Sequence, residues 1–559
     1  MKKQLTAVLC AAAMLLSQAV LVPAQEGGEE TSGHLSNLVI GTTASVENIN
    51  MVGYSGIFGT LNYLGFIRGN WVYKDGNTEI QPYFMTSFEI SEDGKVLDFT
   101  FPTDAVWGDG EPVTGEDVVF TFEFYKDTML KSTLRHMESI ELTGEGSARL
   151  TFSEPDAYAY LTNAALNDGC IPKHIWESHV GGDDYYDYME EDASIGCGAY
   201  KLISRDLDAG TMYFEAIPQN NYHGEITVDS VTVKSYANQE DVLMALINGE
   251  VDCYYRYSSP VSHTLIGLLD GEENIDPGKS YNSGQNQITF GMSRPAFSDY
   301  QMRLAATKAF NWELLASLIG GEYGEIPNTS LLAPSCIGFN ADLPKFERNL
   351  EEANQILDEA GYKDVTGDGL REFPDGSEMK ILVVPQYSSD MSLRNRIAEI
   401  LIDNLKEAGI DAYVDESIIT NDEIWEENIE KENYDIAIGY TTVGVAKNST
   451  AFRYYVADLQ ADAVEKNAQT QQSSTWTWGA YHDPDFTEHV WNMVEATSPE
   501  EYVNGLQWLQ QEANDVLFGT SLCWEMAFYP FRTDKIEGWN NWMSWGVVNN
   551  DTWTSLHAK

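Results

Sequence analysis

Apolar positions along the chain alternate between a period of two and a helical period. Leu97, Phe99 and Phe101 interleave with Val96, Asp98 and Thr100, the spacing that turns one side of a strand into a core. Ser91-Glu92-Asp93-Gly94 just before that run predicts a hairpin turn, since Gly supplies the positive φ that such turns need. A second Asp-Gly, at Asp109-Gly110, precedes Thr114 and Asp117. Their spacing predicts a capping box opening a helix through Val118, Val119, Phe122 and Tyr125. Further along, strands are expected at 140–152 (a pair), 211–217, 228–235 and 434–440. Helices are expected at 157–165, at 238–247 with a stop at Gly249, at 299–323 and at 499–517. Apolar residues at 350, 353, 356, 357 and 360 predict a helix closed by Gly361. The run 379–384, 393–408, 409–414 reads as strand, helix, strand, hence a parallel β-α-β unit.

With 559 residues, the chain exceeds one ordinary core, and two or three packed units are expected. It carries 33 Lys and Arg against 87 Asp and Glu, a net charge of −54. Such a field repels nucleic acid and anionic lipid. It could draw in cationic solutes or divalent ions, although a solvated acidic surface is the simpler reading. Hydrophobic residues at 43% and aromatic residues at 12% exclude a disordered acidic chain, which is poor in both.

The N-terminus has Lys2-Lys3, an apolar run from Leu5 to Val22 interrupted by Ser17 and Gln18, and the small-residue site Val22-Pro23-Ala24. That is the pattern of a signal peptide, residues 1–24, followed by a Glu- and Gly-rich leader over 25–35. The run is too short and interrupted for a membrane anchor. Val8-Leu9-Cys10 lacks the small residue that precedes a lipidated Cys, so a free extracytoplasmic protein is expected, without a lipid anchor. Cys170, Cys197, Cys253, Cys336 and Cys523 form an odd, widely spaced set with no C-x-x-C pattern. At most two disulfides are allowed, their pairing is undetermined, and buried free thiols are the equal alternative.

The segment from Gln81 to Tyr125, with its Phe88, its Ser91-Glu92-Asp93-Gly94 and its Trp107-Gly108-Asp109-Gly110-Glu111-Pro112-Val113-Thr114-Gly115-Glu116-Asp117-Val118, closely resembles the signature of the extracytoplasmic solute-binding proteins of ABC importers, peptide/nickel-binding family. Gly115 stands where that family has Ala, and Phe88 where it has Trp. Other runs are similar to the family as well: Ile171-Pro172-Lys173-His174-Ile175-Trp176, Ile195 to Leu202, Gly249-Glu250-Val251-Asp252, Arg303-Leu304-Ala305, Leu350 to Tyr362, Tyr481 to Phe486 and Ile536-Glu537-Gly538-Trp539. The resemblance implies an α/β, two-lobed periplasmic-binding-protein-like fold with an additional subdomain on the first lobe, a cluster of three domains. It implies a discontinuous domain I (36–54, 171–284 and 528–559), a lobe-capping domain II (55–170) and domain III (285–527). It further implies a monomer that captures a peptide or other small solute between its lobes and delivers it to the permease subunits of a membrane transporter, without cofactor or catalysis.

Which solute is the open question. In peptide-binding relatives an Asp shortly after Gly-Trp holds the peptide amine, and in dipeptide binders an Arg before the third domain's helix holds its carboxylate. Here the first place reads Gly439-Tyr440-Thr441-Thr442-Val443-Gly444 and the second Pro385-Gln386-Tyr387-Ser388-Ser389-Asp390, so both charges are missing. That weakens a short peptide with free termini against a longer peptide held through its backbone, or an oligosaccharide stacked on aromatics. Tyr54, Tyr387, Tyr440, Trp476 and Trp478 are the candidate ligand contacts; the two tryptophans, two residues apart, would share one face of a strand. Core packing is the competing role for each.

Asp364, Thr366, Asp368 and Asp375 place oxygens as a calcium loop does, but Asp375 fills the place that usually carries Glu, and a strand follows where a helix should exit. A turn-rich hairpin is the default there and calcium the alternative. His174 and His179 lack the H-E-x-x-H completion of a metal pair. Nucleophile-elbow, phosphate-loop and dinucleotide-loop motifs are absent. An exported hydrolase using paired carboxylates is the competing reading from another class, and a scaffold or adhesion role is a third.

Overall fold

A computed structural model describes residues 33–52, 67–69, 80–163, 168–222, 224–256, 259–282, 284–388, 391–442, 452, 481–494, 496–542 and 545–559. The signal-peptide region and most of the leader lie outside these residues. Among the described residues no helix is long and apolar enough to cross a membrane.

Two large sheets organise the molecule. The first has seven strands in the order Ile275–Asp276, Phe531–Arg532, Cys253–Tyr254, Leu38–Thr42, Ser230–Ser235, Thr211–Ala216 and Tyr200–Asp206. Leu38–Thr42 runs parallel to Ser230–Ser235 and to Cys253–Tyr254, and the other pairings are antiparallel. The second has five strands in the order Ala412–Tyr413, Ile381–Pro385, Ile436–Thr442, Gly284–Phe290 and Gly519–Ser521. Ile381–Pro385 is parallel to both of its neighbours, as the β-α-β reading requires, with helix Ser392–Glu407 as the crossover. Buried Asp435 locks this unit, accepting from the Leu382 backbone N–H at 2.8 Å and facing the Arg294 Nε at 3.4 Å.

The signature segment builds a separate four-stranded antiparallel sheet from Ser87–Ile90, Val96–Thr100, Ser147–Phe152 and Met137–Gly144. Its hairpin turns at Gly94, φ +69°. Trp107 is buried behind it. The capping box forms as the spacing predicts: Asp117 Oδ2 accepts from the Thr114 N–H at 2.8 Å, and the Asp117 N–H donates to Thr114 Oγ1 at 3.4 Å. The second Asp117 oxygen accepts from the Lys173 N–H at 2.9 Å, so one carboxylate caps helix Gly115–Asp127 and clamps helix Lys173–Trp176 onto it. This sheet shares one continuous core with the seven-stranded sheet. It meets the second lobe where Tyr158 is buried beside Leu331 and Tyr502.

One expectation is corrected and one open question is answered. The helix expected at 299–323 is two helices, Tyr300–Ala309 and Trp312–Gly320. Asn311 breaks it by capping the second, its Oδ1 accepting from the Leu314 N–H at 3.0 Å while its own N–H is held by Asn404 Oδ1 at 2.8 Å. Local hydrogen bonding by Asn competes with the helix interior and wins here because a buried acceptor is supplied from another helix. Of the two readings left open for the cysteines, the structure has the free thiols: all five described cysteines are unpaired and buried.

Arg303 is 4% exposed and makes no ion pair with Asp or Glu among the described residues. Its guanidinium instead donates to the carbonyls of Phe297, Ser298 and Val516, satisfying the end of helix Pro499–Val516.

Asp117 accepts from backbone N–H groups of two elements, so Asp117→Ala is expected to cost about 2–3 kcal/mol, from a lost cap and an orphaned, half-buried Lys173 N–H. A urea midpoint unchanged by the substitution would show that the clamp does not stabilise the fold.

Candidate functional site

The chain passes between the two large sheets twice. One passage follows the short strand Lys279–Tyr281 into Gly284–Phe290, and the other follows Gly519–Ser521 into Met526–Phe528, with Lys279–Tyr281 and Met526–Phe528 paired antiparallel. In the five-stranded sheet both passages leave from the edge where the parallel strands Ile381–Pro385 and Ile436–Thr442 end. In the seven-stranded sheet they arrive beside the ends of Leu38–Thr42 and Cys253–Tyr254. Carboxyl-terminal strand edges are where open α/β sheets bind ligands, because loops and helix N-termini converge there. Both sheets therefore turn that edge toward the crossing.

At the second-lobe edge, Gln386 and Tyr440 are coupled directly: the Tyr440 N–H donates to Gln386 Oε1 at 3.2 Å, and the Gln386 N–H donates to the Ile438 carbonyl at 2.8 Å. The Tyr440 ring lies across Gly284, where a Cβ would come within 1.9 Å of the phenol oxygen. Only glycine admits the ring at that crossing. Tyr387 is half-buried and packs on the small cluster of Leu382, Val384, Trp425 and Tyr434.

Arg394 is the residue that sequence reasoning missed. Segment 385–390 has no Arg, but Arg394 enters from the first turn of helix Ser392–Glu407. Among the described arginine side chains it alone makes no hydrogen bond or ion pair, and its Nε is buried without a partner. Desolvation pulls its guanidinium below the usual range, and the neighbouring Tyr440 hydroxyl opposes that shift. A cation in the first turn of a helix also opposes the macrodipole. That misplacement is the signal the sequence carried. Guanidinium and helix N-terminus together present donors to an anionic group. At the first-lobe edge Arg256 donates only to Thr43 Oγ1, at 3.1 Å.

Across the ladder, Tyr440 is registered opposite Asn286. The Asn286 side chain donates to Glu525 Oε1 at 2.9 Å. Glu525 lies on the second passage and has no ion pair among the described residues. Desolvation pushes its carboxyl up to about 7, against the hydrogen bonds from Asn286. Among the described residues, one row across the crossing thus holds an unpaired carboxyl at one end and an unpaired guanidinium at the other.

Tyr54, Trp476 and Trp478 lie outside the described residues. In the loop after helix Leu350–Ala360, Asp364, Asp368 and Glu372 bring carboxylate oxygens within 4.8 Å of one another. Asp375 is not among them; it is turned onto Ser377, accepting from its N–H at 2.9 Å and its hydroxyl at 2.6 Å. Buried Glu372 accepts from the Val365 N–H and from Thr366 Oγ1, and Lys363 bridges Glu372 as in a hairpin. His174 faces Asp109 at 2.9 Å and His179 faces Asp184 at 2.9 Å, so the two histidines serve separate carboxylates. Burial pushes the thiols of Cys197 and Cys336 up to about 12, far from a thiolate nucleophile.

The profile of the bacterial extracellular solute-binding proteins, family 5, matches residues 79–462. The oligopeptide-binding protein AppA of Bacillus subtilis is 26% identical over 340 residues, covering 58% of this chain and 59% of its own. The chain thus spans about three fifths of the length of the curated relatives it matches. The AppA structure in complex with a nonapeptide superposes with a TM-score of 0.63 at 18% identity, covering 94% of this chain and 100% of that one. The mannohexaose-bound oligopeptide-binding protein of Thermotoga maritima gives 0.64 at 18% identity, covering 94% and 99%. At these identities the structural likeness establishes the two-lobed α/β fold.

If Arg394 is held unpaired for a ligand, the empty protein is destabilised by it. Arg394→Met is expected to raise stability by about 0.5–1 kcal/mol, read as a higher urea midpoint in the absence of solute. A clear loss of stability would make Arg394 a structural residue.

Proposed function

The chain belongs to the bacterial extracellular solute-binding proteins of family 5, and we propose from this that it captures an oligopeptide between its lobes and hands it to an ABC importer at the membrane. Members of that family are binding proteins. The observation that carries the reading is the row at the crossing. Arg394, Gln386 and Tyr440 supply donors and an aromatic wall on one lobe, next to a double passage that can act as a hinge. Binding by such a site shifts an equilibrium between open and closed lobes and makes no covalent bond. The same reading includes cleavage of the signal peptide near Ala24, a free monomer without lipid anchor, and the division into domain I, the capping domain II and domain III.

Arg394 changes the ligand question raised by the missing charges at 385–390. A carboxylate has a candidate partner after all, which favours a peptide over a neutral glycan. The mannohexaose bound to the Thermotoga maritima relative makes the oligosaccharide the alternative to test. Tyr54, Tyr387, Tyr440, Trp476 and Trp478 are assigned to the walls of the cleft in either case.

Thermal melting against separate pools of unblocked peptides and of neutral oligosaccharides decides between them. A peptide present at a hundredfold excess over its Kd adds about 2.7 kcal/mol, and the midpoint rises by several degrees. Arg394→Gln is expected to remove most of that rise. A shift with the oligosaccharides alone would overturn the peptide reading, and product formation from either pool would make the protein an enzyme.

A further inference from the structure

Glu525 has no use in the fold that its surroundings explain. It lies on the second passage between the lobes, after Trp524, whose backbone is bridged to Glu325. Its side chain rests on the Asn286 amide at 2.9 Å, and the Asn282 N–H donates to its carbonyl at 2.9 Å. A desolvated carboxyl costs stability unless it is paired. Placed at a crossing that any lobe movement must bend, it would be replaced by Gln at no loss to the hydrogen bond from Asn286 if that bond were its whole purpose.

The charges around it do not pair it. On its own segment, between Gly519–Ser521 and Met526–Phe528, stands the Cys523 thiol, itself pushed up by burial and then by Glu525. From the segment bridged to Trp524 comes Glu325, which accepts from the Tyr281 hydroxyl at 3.1 Å. From the antiparallel strand Lys279–Tyr281, the Lys279 ammonium is directed at the Tyr323 ring, 5.2 Å away. Lys345 sits over the Trp524 ring at 5.2 Å. On the sheet side stand Asn286 and, opposite it in the ladder, Tyr440 with Arg394 beyond. The lysines near this passage are thus engaged by rings, and the acids only add repulsion.

We propose that Glu525 is a specificity-determining residue of the cleft, whose carboxylate receives a cationic nitrogen of the captured solute, an ammonium or guanidinium, and gives up its proton on doing so. The inference rests on the capture reading above and narrows it to solutes that carry a cation. The geometry supplies the complement: a solute bearing both charges meets the carboxylate at one end of the Glu525, Asn286, Tyr440, Arg394 row and the guanidinium at the other. Because Glu525 in the empty protein is held near half-ionised at neutral pH, the proton must leave as the cation arrives. Solute binding and proton release are therefore linked.

The probe is a pool of unblocked three- to nine-residue peptides free of His, Asp and Glu, so that no side chain of the peptide titrates between pH 5.5 and 7 and its α-amino group stays mostly protonated there. A peptide retained at pH 7 is identified by native mass spectrometry. It is then titrated calorimetrically in two buffers of different ionisation enthalpy. Wild type is expected to release a proton and to bind about tenfold more tightly at pH 7 than at pH 5.5. Glu525→Gln is expected to bind the same peptide more weakly than wild type at pH 7, with neither proton release nor pH dependence, and to melt at least as high as wild type when empty. A retained peptide that binds without proton release, or a Glu525→Gln variant that keeps the pH slope, overturns this inference and leaves peptide capture standing. Failure of wild type to retain any peptide, or retention of a neutral oligosaccharide in its place, overturns the capture reading and this inference with it.

Discussion

The double passage of the chain between the two large sheets is the constraint on which the rest depends. Two short strands, Lys279–Tyr281 and Met526–Phe528, are all that the five-stranded sheet has in continuous backbone with the seven-stranded one. Their hydrogen bonds leave little freedom except bending. Gly278, at φ +61°, shows how tightly this is packed, because a Cβ there would lie 2.0 Å from the Tyr529 carbonyl oxygen. The passages also fix which edges face each other, since strands that lead into them must end where the parallel strands end. Site and hinge are in this way one feature of the topology, and the sheets need no further device to be brought to a common cleft.

The net charge of −54 gives the unpaired groups their meaning. In a chain so rich in carboxylates, an arginine finds a partner unless the fold withholds one. Arg149, Arg348, Arg371, Arg396 and Arg532 all meet Asp or Glu, and Arg303 is committed to three carbonyls. Among the described residues Arg394 has neither, at the N-terminus of a helix where its charge is least welcome. Isolation of a cation in this setting is a positive property of the structure, held in place by the β-α-β unit that Asp435 locks.

Legibility in the sequence followed locality. The capping box at Thr114 and Asp117, the Gly94 turn, the Gly249 and Gly361 stops and the strand periods all depend on residues within a few positions of one another, and each formed. The same applies to the signature segment, whose order of side chains carried the family. Asn311 was unreadable because its effect requires Asn404, 93 residues away. Tyr440 was legible as an aromatic candidate, but not its seat over Gly284. Arg394 and Glu525 escaped because an unpaired charge is defined by what fails to surround it, and no window of sequence shows that. The missing Arg at 385–390 was read as a missing charge, when the helix that follows delivers one in its first turn.

A ligand can close two lobes only through a difference in its affinity for the open and closed arrangements. Contacts confined to one lobe would bind equally well in both and shift nothing. Groups on the passages themselves are different, because bending moves them relative to either sheet. Glu525 is attached to one passage while its amide donor, Asn286, belongs to the strand continued from the other. Any change in lobe angle must therefore act across that hydrogen bond. A solute charge placed there senses the angle directly, whereas Tyr387, packed on its own lobe's satellite cluster, can only add affinity. By this reasoning a solute received by the crossing row would couple binding to closure, whereas contacts on one lobe alone would set only how tightly it is held.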